Sequence, residues 1–125
     1  MKLQAVVDKI ESEGLGVPGQ TLFRDQMPSS VNDALLVASK TPFMTHPYVH
    51  EYRKGQIQLI ARTSSEDNSR SKLESVITAL ASNGRQIFGS AVFLRFWPAH
   101  EPLVYSRSSA DLVEASVNFD VVFIK

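Results

Sequence analysis

The chain has 125 residues, 43% of them hydrophobic, and its 13 basic and 13 acidic side chains leave no net charge. This length and composition predict one globular domain covering residues 1–125 and disfavour disorder. The charges are scattered, which disfavours nucleic acid as the main partner, because proteins that track phosphates usually carry a basic excess. Cysteine is absent, which excludes disulfides, thiolate metal sites and cysteine nucleophiles. No apolar run approaches the roughly 20 residues of a membrane helix, so we expect a soluble protein with no membrane partner.

Two segments have the periodicity of amphipathic helices. Their apolar residues fall at i, i+3, i+4 and i+7: Leu3, Val6, Val7 and Ile10 in the first, and Leu73, Val76, Ile77 and Leu80 in the second. Ser64 or Ser65 is predicted to cap the second helix, and Asn83-Gly84 to end it. The shared spacing predicts two helices that cover one sheet.

Between the first helix and the next apolar run lies a G-x-G-x-x-G sequence formed by Gly14, Gly16 and Gly19. As a dinucleotide-binding fingerprint it requires a preceding strand and a following helix. Here the predicted order is reversed, and Pro18 removes a backbone N–H. We therefore interpret the motif as a helix end at Gly14 and a turn. Two strands are predicted after it, at residues 21–23 and from residue 34 to residue 37.

The segment from Thr41 to Gly55 is predicted to be a loop or a loosely paired hairpin. It carries apolar side chains that look exposed, namely Phe43, Met44, Tyr48 and Tyr52. The segment is either a docking arm for a partner or a loop whose aromatic residues pack onto its own domain.

No catalytic or metal-binding set is predicted. His46 and His50 have the spacing of a helical metal pair, but Pro47 disfavours a helix there. His100 and Glu101 lie in a predicted turn, Pro98–Pro102, and no nucleophile is paired with them. The serine-rich stretches 63–65 and 106–109 lack a G-x-S-x-G elbow. We therefore predict no enzyme activity and no cofactor.

The remaining strands are predicted at 56–62, 89–97, 103–107 and 113–124. In the first, Ile57, Leu59 and Ala61 share one face, while Gln56, Gln58 and Arg62 share the other. The strands at 89–97 and 113–124 carry apolar residues on both faces. Strict alternation places Phe93 and Trp97 on the second face of one, and Val122 and Ile124 on the second face of the other. Because two helices cover one face only, the second face needs another cover. This cover is either another subunit or a hairpin or long loop of the same chain.

Taken together, these segments resemble the tail terminator proteins of long-tailed bacteriophages, also called minor capsid or tail completion proteins. The resemblance rests on an amino-terminal helix followed by GLGVPGQTLFRDQMP and by the strand DALLV. It continues in the strand QIQLIAR, the second amphipathic helix and the terminal strand ASVNFDVVFIK.

The resemblance implies a small α+β fold, with two helices on one face of a mixed, mainly antiparallel sheet. It also implies a structural virion protein, made in the host cytoplasm, that forms a hexameric ring on the finished tail tube. Such a ring ends tube polymerisation and offers a surface to head–tail connector proteins, with DNA only passing through the lumen. The partners are then other copies of the chain, the tail tube protein and the connector. Candidate interface residues are Phe43, Tyr48, Tyr52, Phe93, Trp97, Val122 and Ile124.

Two other functions remain open on the sequence alone. One is a small α+β binding module with an enclosed apolar pocket, which predicts a monomer or dimer. The other is a different phage neck or tail-tube protein, which predicts long tubes rather than one ring.

Overall fold

The chain folds as a two-layer arrangement of helices on a sheet in the computed structural model, which describes residues 3–28, 30–39, 42–88, 91–104 and 112–124. The helices in these ranges are α1 (Gln4–Ser12) and α2 (Glu66–Leu80). The strands are β1 (Leu22–Arg24), β2 (Ala34–Ser39), β3 (Met44–Thr45), β4 (Tyr52–Thr63), β5 (Gln86–Phe88), β6 (Ala91–Pro98), β7 (Leu103–Val104) and β8 (Val113–Ile124).

The sheet has the strand order β1-β2-β4-β8-β6-β5, with β3 pairing to β4 and β7 pairing to β8. Only β1 and β2 run parallel among the described strand pairs, and the other pairs are antiparallel. Both helices pack into one buried core with the inward side chains of the sheet. The predicted α+β fold, with a mixed, mainly antiparallel sheet covered by two helices on one face, is confirmed.

The centre of the sheet is the pairing of β4 with β8. The two strands pair over 12 residues each, from Tyr52 opposite Ile124 to Thr63 opposite Val113. Their alternation buries Ile57, Leu59 and Ala61 on the helix side, as the sequence predicted. The terminal strand has its predicted bounds, whereas β4 starts at Tyr52, four residues before the predicted start at Gln56.

A local signal explains where α1 ends. In α1, Val6, Val7 and Ile10 are buried, and the chain turns out of the helix at Gly14, whose φ is 74°. Glycine adopts this left-handed conformation at little cost, so it ends the helix as predicted. A helix therefore precedes the glycine motif and β1 follows it, which is the wrong order for a dinucleotide site. In the described part of the chain, neither helix is both long and apolar enough to cross a bilayer.

Helix α2 starts where the sequence predicted but ends earlier. The Ser65 side chain accepts a hydrogen bond from the Asn68 N–H at 3.1 Å, which makes it the N-cap. The helix ends at Leu80 rather than at Asn83-Gly84. The reason lies elsewhere in the chain, because Ser82 exchanges two backbone hydrogen bonds with Phe96 of β6 at 2.7 and 2.8 Å.

A buried polar cluster fixes the first turn of α2 to the sheet. The Ser69 hydroxyl donates to the Val113 carbonyl at 2.9 Å and lies 2.7 Å from the Thr63 hydroxyl. The Thr63 hydroxyl also donates to the Ser65 carbonyl at 2.8 Å. These contacts join α2, β4 and β8 without leaving the two hydroxyls unpaired.

Strand β6 contains a β-bulge, so some of its residues face differently from the prediction. The pairing with β8 shifts register between Phe93 and Arg95, so Leu94 is an extra residue. Before the bulge, Phe93 pairs with Phe123 and is fully buried, with its ring 4.8 Å from that of Phe88. Strict alternation had placed Phe93 on the second face, and this prediction is wrong. After the bulge, Trp97 does face away from the helices.

Two predicted strands and one loop extend outside the described residues. The strand predicted at 89–97 is β6 from Ala91 onward, and residues 89–90 lie outside. The strand predicted at 103–107 is β7 for its first two residues. Residues 106–109, predicted to form a serine-rich loop, also lie outside.

Candidate interaction surface

The sheet face turned away from the helices, here called the helix-free face, is covered at one end by the chain itself. Arg62 forms an ion pair with Glu114 across β4 and β8, with 2.9 Å between nitrogen and oxygen. The same guanidinium donates to the carbonyls of Pro28 and Val31 at 3.0 and 3.5 Å. The segment between β1 and β2 is therefore tied over this end. Of the two alternatives for the cover of the second face, a loop of the same chain is the one found at this end.

The opposite end of the helix-free face is open, and it carries apolar side chains beside the exposed charged residues Lys54 and Arg95, which both lie opposite Val122. Cross-strand register places Ile87, Val92, Ile124 and Tyr52 in one row over four strands. Five large apolar side chains are exposed at this end, and we call them the open patch: Met44, Tyr48, Ile87, Leu94 and Trp97. Ile87 is 61% exposed and Trp97 is 40% exposed, whereas Val122 and Ile124 on β8 are half-buried. An apolar patch of this kind usually marks a protein–protein contact.

The hairpin that joins β3 to β4 carries the most exposed aromatic residue of the open patch. Tyr48 is 87% exposed at its tip. The Nδ1 atom of His46 accepts hydrogen bonds from the N–H groups of Tyr48 and Val49, both at 3.1 Å. Arg53 donates to the His50 carbonyl at 2.6 Å. The tip is therefore held in one shape by its own side chains while Tyr48 points away from the domain.

The seven predicted interface residues fall into three groups. Tyr48 and Trp97 are exposed, whereas Tyr52, Val122 and Ile124 are half-buried at the open end of the helix-free face. Phe43 packs edge-to-face against Phe123 at 5.0 Å, and a Cβ on Gly55 would lie 2.6 Å from its ring. Phe93 is a core residue. The structure thus brings five of these residues to one end of the face and gives Phe43 and Phe93 intramolecular contacts.

Sequence reasoning missed two members of the open patch. Ile87 lies in β5, a three-residue strand too short to show alternation. Leu94 is exposed because of the bulge, which strict alternation does not reveal. Met44 had been recognised as apolar and exposed, and it pairs with Lys54 on the helix-free face.

A second surface feature is a cleft of about 640 Å³ between α2 and the predicted turn at Pro98–Pro102. Ile77, Pro98 and Pro102 are half-buried in its wall, and Glu74 and Glu101 are exposed at its rim. His100 fixes the turn, because its Nδ1–H donates to the Glu101 carbonyl at 2.6 Å and its Nε2 accepts from the Asn118 N–H at 3.3 Å.

Histidines and acids do not assemble into a metal centre within the described residues. No group of three or more His, Cys, Asp or Glu side chains converges there. The imidazole of His46 is engaged in the hairpin turn, and that of His100 is engaged in the wall of the cleft. Both side chains thus have a structural role that the sequence did not reveal.

Comparison with known proteins gives the family of this chain. The profile of the family described as bacteriophage tail terminator protein matches residues 9–123. The chain therefore belongs to the bacteriophage tail terminator family, and the predicted resemblance is confirmed. No curated protein sequence matches the chain.

A solved structure supports the fold. One chain of the structure described as "Virion of native gene transfer agent (GTA) particle" superposes with a TM-score of 0.63. The similarity covers 86% of this chain and 81% of that chain, at 10% sequence identity. At this identity the match shows a shared fold.

Proposed function

We propose that this protein forms a hexameric ring that caps the phage tail tube, ends its polymerisation and provides the surface for head joining. Membership of the tail terminator family over residues 9–123 is the observation that carries the proposal. A ring forms when one surface of a subunit contacts a different surface of the next and the rotation closes. The proposed partners are other copies of the chain, the tail tube protein and head–tail connector proteins.

The open patch supports this assembly. Exposed side chains from β3, the hairpin tip, β5 and β6 lie together at one end of a sheet whose other end the chain covers itself. Burying this apolar surface between subunits or against the tail tube would remove it from water, which favours association. Tyr48, Tyr52, Trp97, Val122 and Ile124 are the proposed contact residues, and Phe43 and Phe93 support them from inside the fold.

Charge is consistent with a scaffold that binds proteins. The chain has no net charge, so we propose that DNA passes through the lumen of the ring without being gripped. The proposed role requires no cofactor and no catalytic residues. The similarity to a chain of a gene transfer agent virion supports a place in the virion. We propose the junction of tail and head as its position there.

The experiment is light scattering of purified protein over a concentration series, with negative-stain images of the same fractions. Six-subunit rings with a central hole support the proposal, and long tubes identify a tail-tube protein instead. If the protein stays monomeric, purified tail tubes are added. A ring at the tube end with arrest of growth supports the proposal, and no binding refutes it.

A matched pair of variants tests the contact surface. Trp97→Ala should lower the oligomer mass or tail binding, because Trp97 lies in the open patch. Val17→Ala is the control, since Val17 is 50% exposed but lies in the glycine turn before β1. Equal loss from both variants would remove the open patch from the proposal.

A further inference from the structure

Two surface features have no role in the core and are not explained by the ring alone: the tip of the β3–β4 hairpin and the cleft between α2 and the 98–102 turn. We propose that the tip of one copy inserts Tyr48 into the cleft of a second copy, a step that rests on the ring of the proposed function. The occupant of the cleft is therefore the same chain.

The tip has the properties of an inserting element. Its turn is preorganised by His46 and Arg53, so little conformational freedom is lost when it binds. Tyrosine is enriched among residues that dominate binding energy, because it offers a large rigid ring and a polar end. Tyr48 is 87% exposed, so nearly all of its surface is available to a partner.

The cleft has the properties of the receiving surface. Pro98 and Pro102 flank Ile77, which gives an apolar wall for an aromatic ring. Two further lining residues hold the wall in place, since Arg70 donates to the Pro102 carbonyl at 3.3 Å and His100 is hydrogen-bonded on both ring nitrogens. A volume of about 640 Å³ accommodates a tyrosine side chain.

The charges of the two surfaces are complementary. Beside the tip, Lys54 is exposed on the helix-free face and Arg53 adds a second positive charge, against the single negative charge of Glu51. At the cleft, Arg70 is already paired with Glu66 at 3.0 Å, which leaves Glu74 and Glu101 to set the sign. In the described part of the chain, neither Lys54 nor these two carboxylates has an ion-pair partner. Opposite charges at the rim steer the two surfaces together.

Position on the fold makes the contact head-to-tail. The tip lies beyond the Tyr52–Ile124 end of the sheet, whereas the cleft lies past the end of β6, where Pro98 is opposite Phe119. A twofold dimer would need both tip–cleft contacts to form at once between the same two copies. Each copy can instead offer a tip to one neighbour and a cleft to another, which is the requirement for a ring.

Cysteine cross-linking tests this contact cleanly, because the natural chain has no cysteine. Full-length protein carrying both Val49→Cys and Ala99→Cys is treated with a short bismaleimide, alone and on purified tail tubes. Both positions are exposed and adjoin the contact, so Tyr48 and Glu101 stay in place. We expect a ladder of covalent oligomers. Mixing the two single variants should give one heterodimer and nothing larger. Val49→Cys combined with Val17→Cys is the control and should give no ladder.

Several results would overturn the inference. Rings that form without a 49–99 cross-link, or that cross-link through 49–49 or 49–17, refute this contact and leave the proposed ring intact. Capture of Val49→Cys by the tail tube protein in place of a second copy also refutes it. If neither solution nor tail tubes yields the 49–99 product, the inference fails. The proposed function is then tested by tail binding alone.

Discussion

Replacing Phe93 with alanine tests the bulge in β6. The bulge places Phe93 in the core and leaves Trp97 on the helix-free face of the same strand. Phe93 is fully buried, and its ring centroid lies 4.8, 5.3 and 5.7 Å from those of Phe88, Phe96 and Phe123. Truncation removes these contacts and leaves a cavity that the surrounding rings cannot fill. We expect Phe93→Ala to lower the free energy of unfolding by about 3–5 kcal/mol.

Trp97→Ala is the matched comparison on the same strand. Trp97 is 40% exposed on the helix-free face, so water fills the vacated space and the cavity penalty is absent. We expect a loss below about 2 kcal/mol. Strict alternation without the bulge would have placed both side chains on the same face and predicted similar costs.

Urea denaturation measures both variants, at concentrations where light scattering shows the same oligomeric state, since subunit association itself adds apparent stability. For a chain of this size, each kcal/mol lost from the free energy of unfolding lowers the melting temperature by about 4 °C. Phe93→Ala should therefore melt roughly 12–20 °C below the natural protein. A cost below about 1.5 kcal/mol for Phe93→Ala, or an equal cost for Trp97→Ala, would refute the bulged register.

Three further predictions concern the hairpin, the cleft and the buried cluster. His46→Ala should weaken self-association about fivefold in the light-scattering series, because the Tyr48 and Val49 N–H groups lose their side-chain acceptor. The control His46→Asn keeps a side-chain acceptor at this position and should associate normally. Glu101→Lys should also weaken association about fivefold at low salt, because it reverses a charge at the rim of the cleft. Adding Lys54→Glu should restore association. If the double variant associates as weakly as Glu101→Lys alone, the pairing of tip and cleft is disproved. Ser69→Ala should lower the free energy of unfolding by about 1–3 kcal/mol in urea denaturation, because the buried Val113 carbonyl loses its donor. The control Ser75→Ala, on the exposed side of α2, should change this free energy by under about 0.5 kcal/mol. Equal effects of the two serine substitutions would contradict the buried network.

The sequence predicted those elements whose signals are local. Apolar spacing of three and four residues gave both helices, and strict alternation gave the faces of β4 and the bounds of β8. Gly14 and Ser65 were recognised because a helix end needs a left-handed residue and a helix start needs a side-chain acceptor. The family resemblance combined these same signals, and the family match over residues 9–123 confirmed it.

The candidate surface was predictable only in part. Tyr48 and Trp97 stood out as large apolar residues without an obvious core position, and both are exposed. Phe93 was placed on the wrong face because the extra residue Leu94 is defined by pairing with β8, not by the sequence of β6. The early end of α2 has the same origin, since Ser82 leaves the helix to pair with Phe96.

The sequence by itself therefore determined the two helices and the buried faces of β4 and β8, because these depend on neighbours within a few residues, and together they were enough to indicate the family. Only the tertiary structure decided which end of the helix-free face is open. Arg62 reaches Pro28 and Val31 across more than 30 positions of sequence and ties the chain over one end. Hydrogen bonds that close over such distances depend on the folded path of the chain, so no local pattern predicts them.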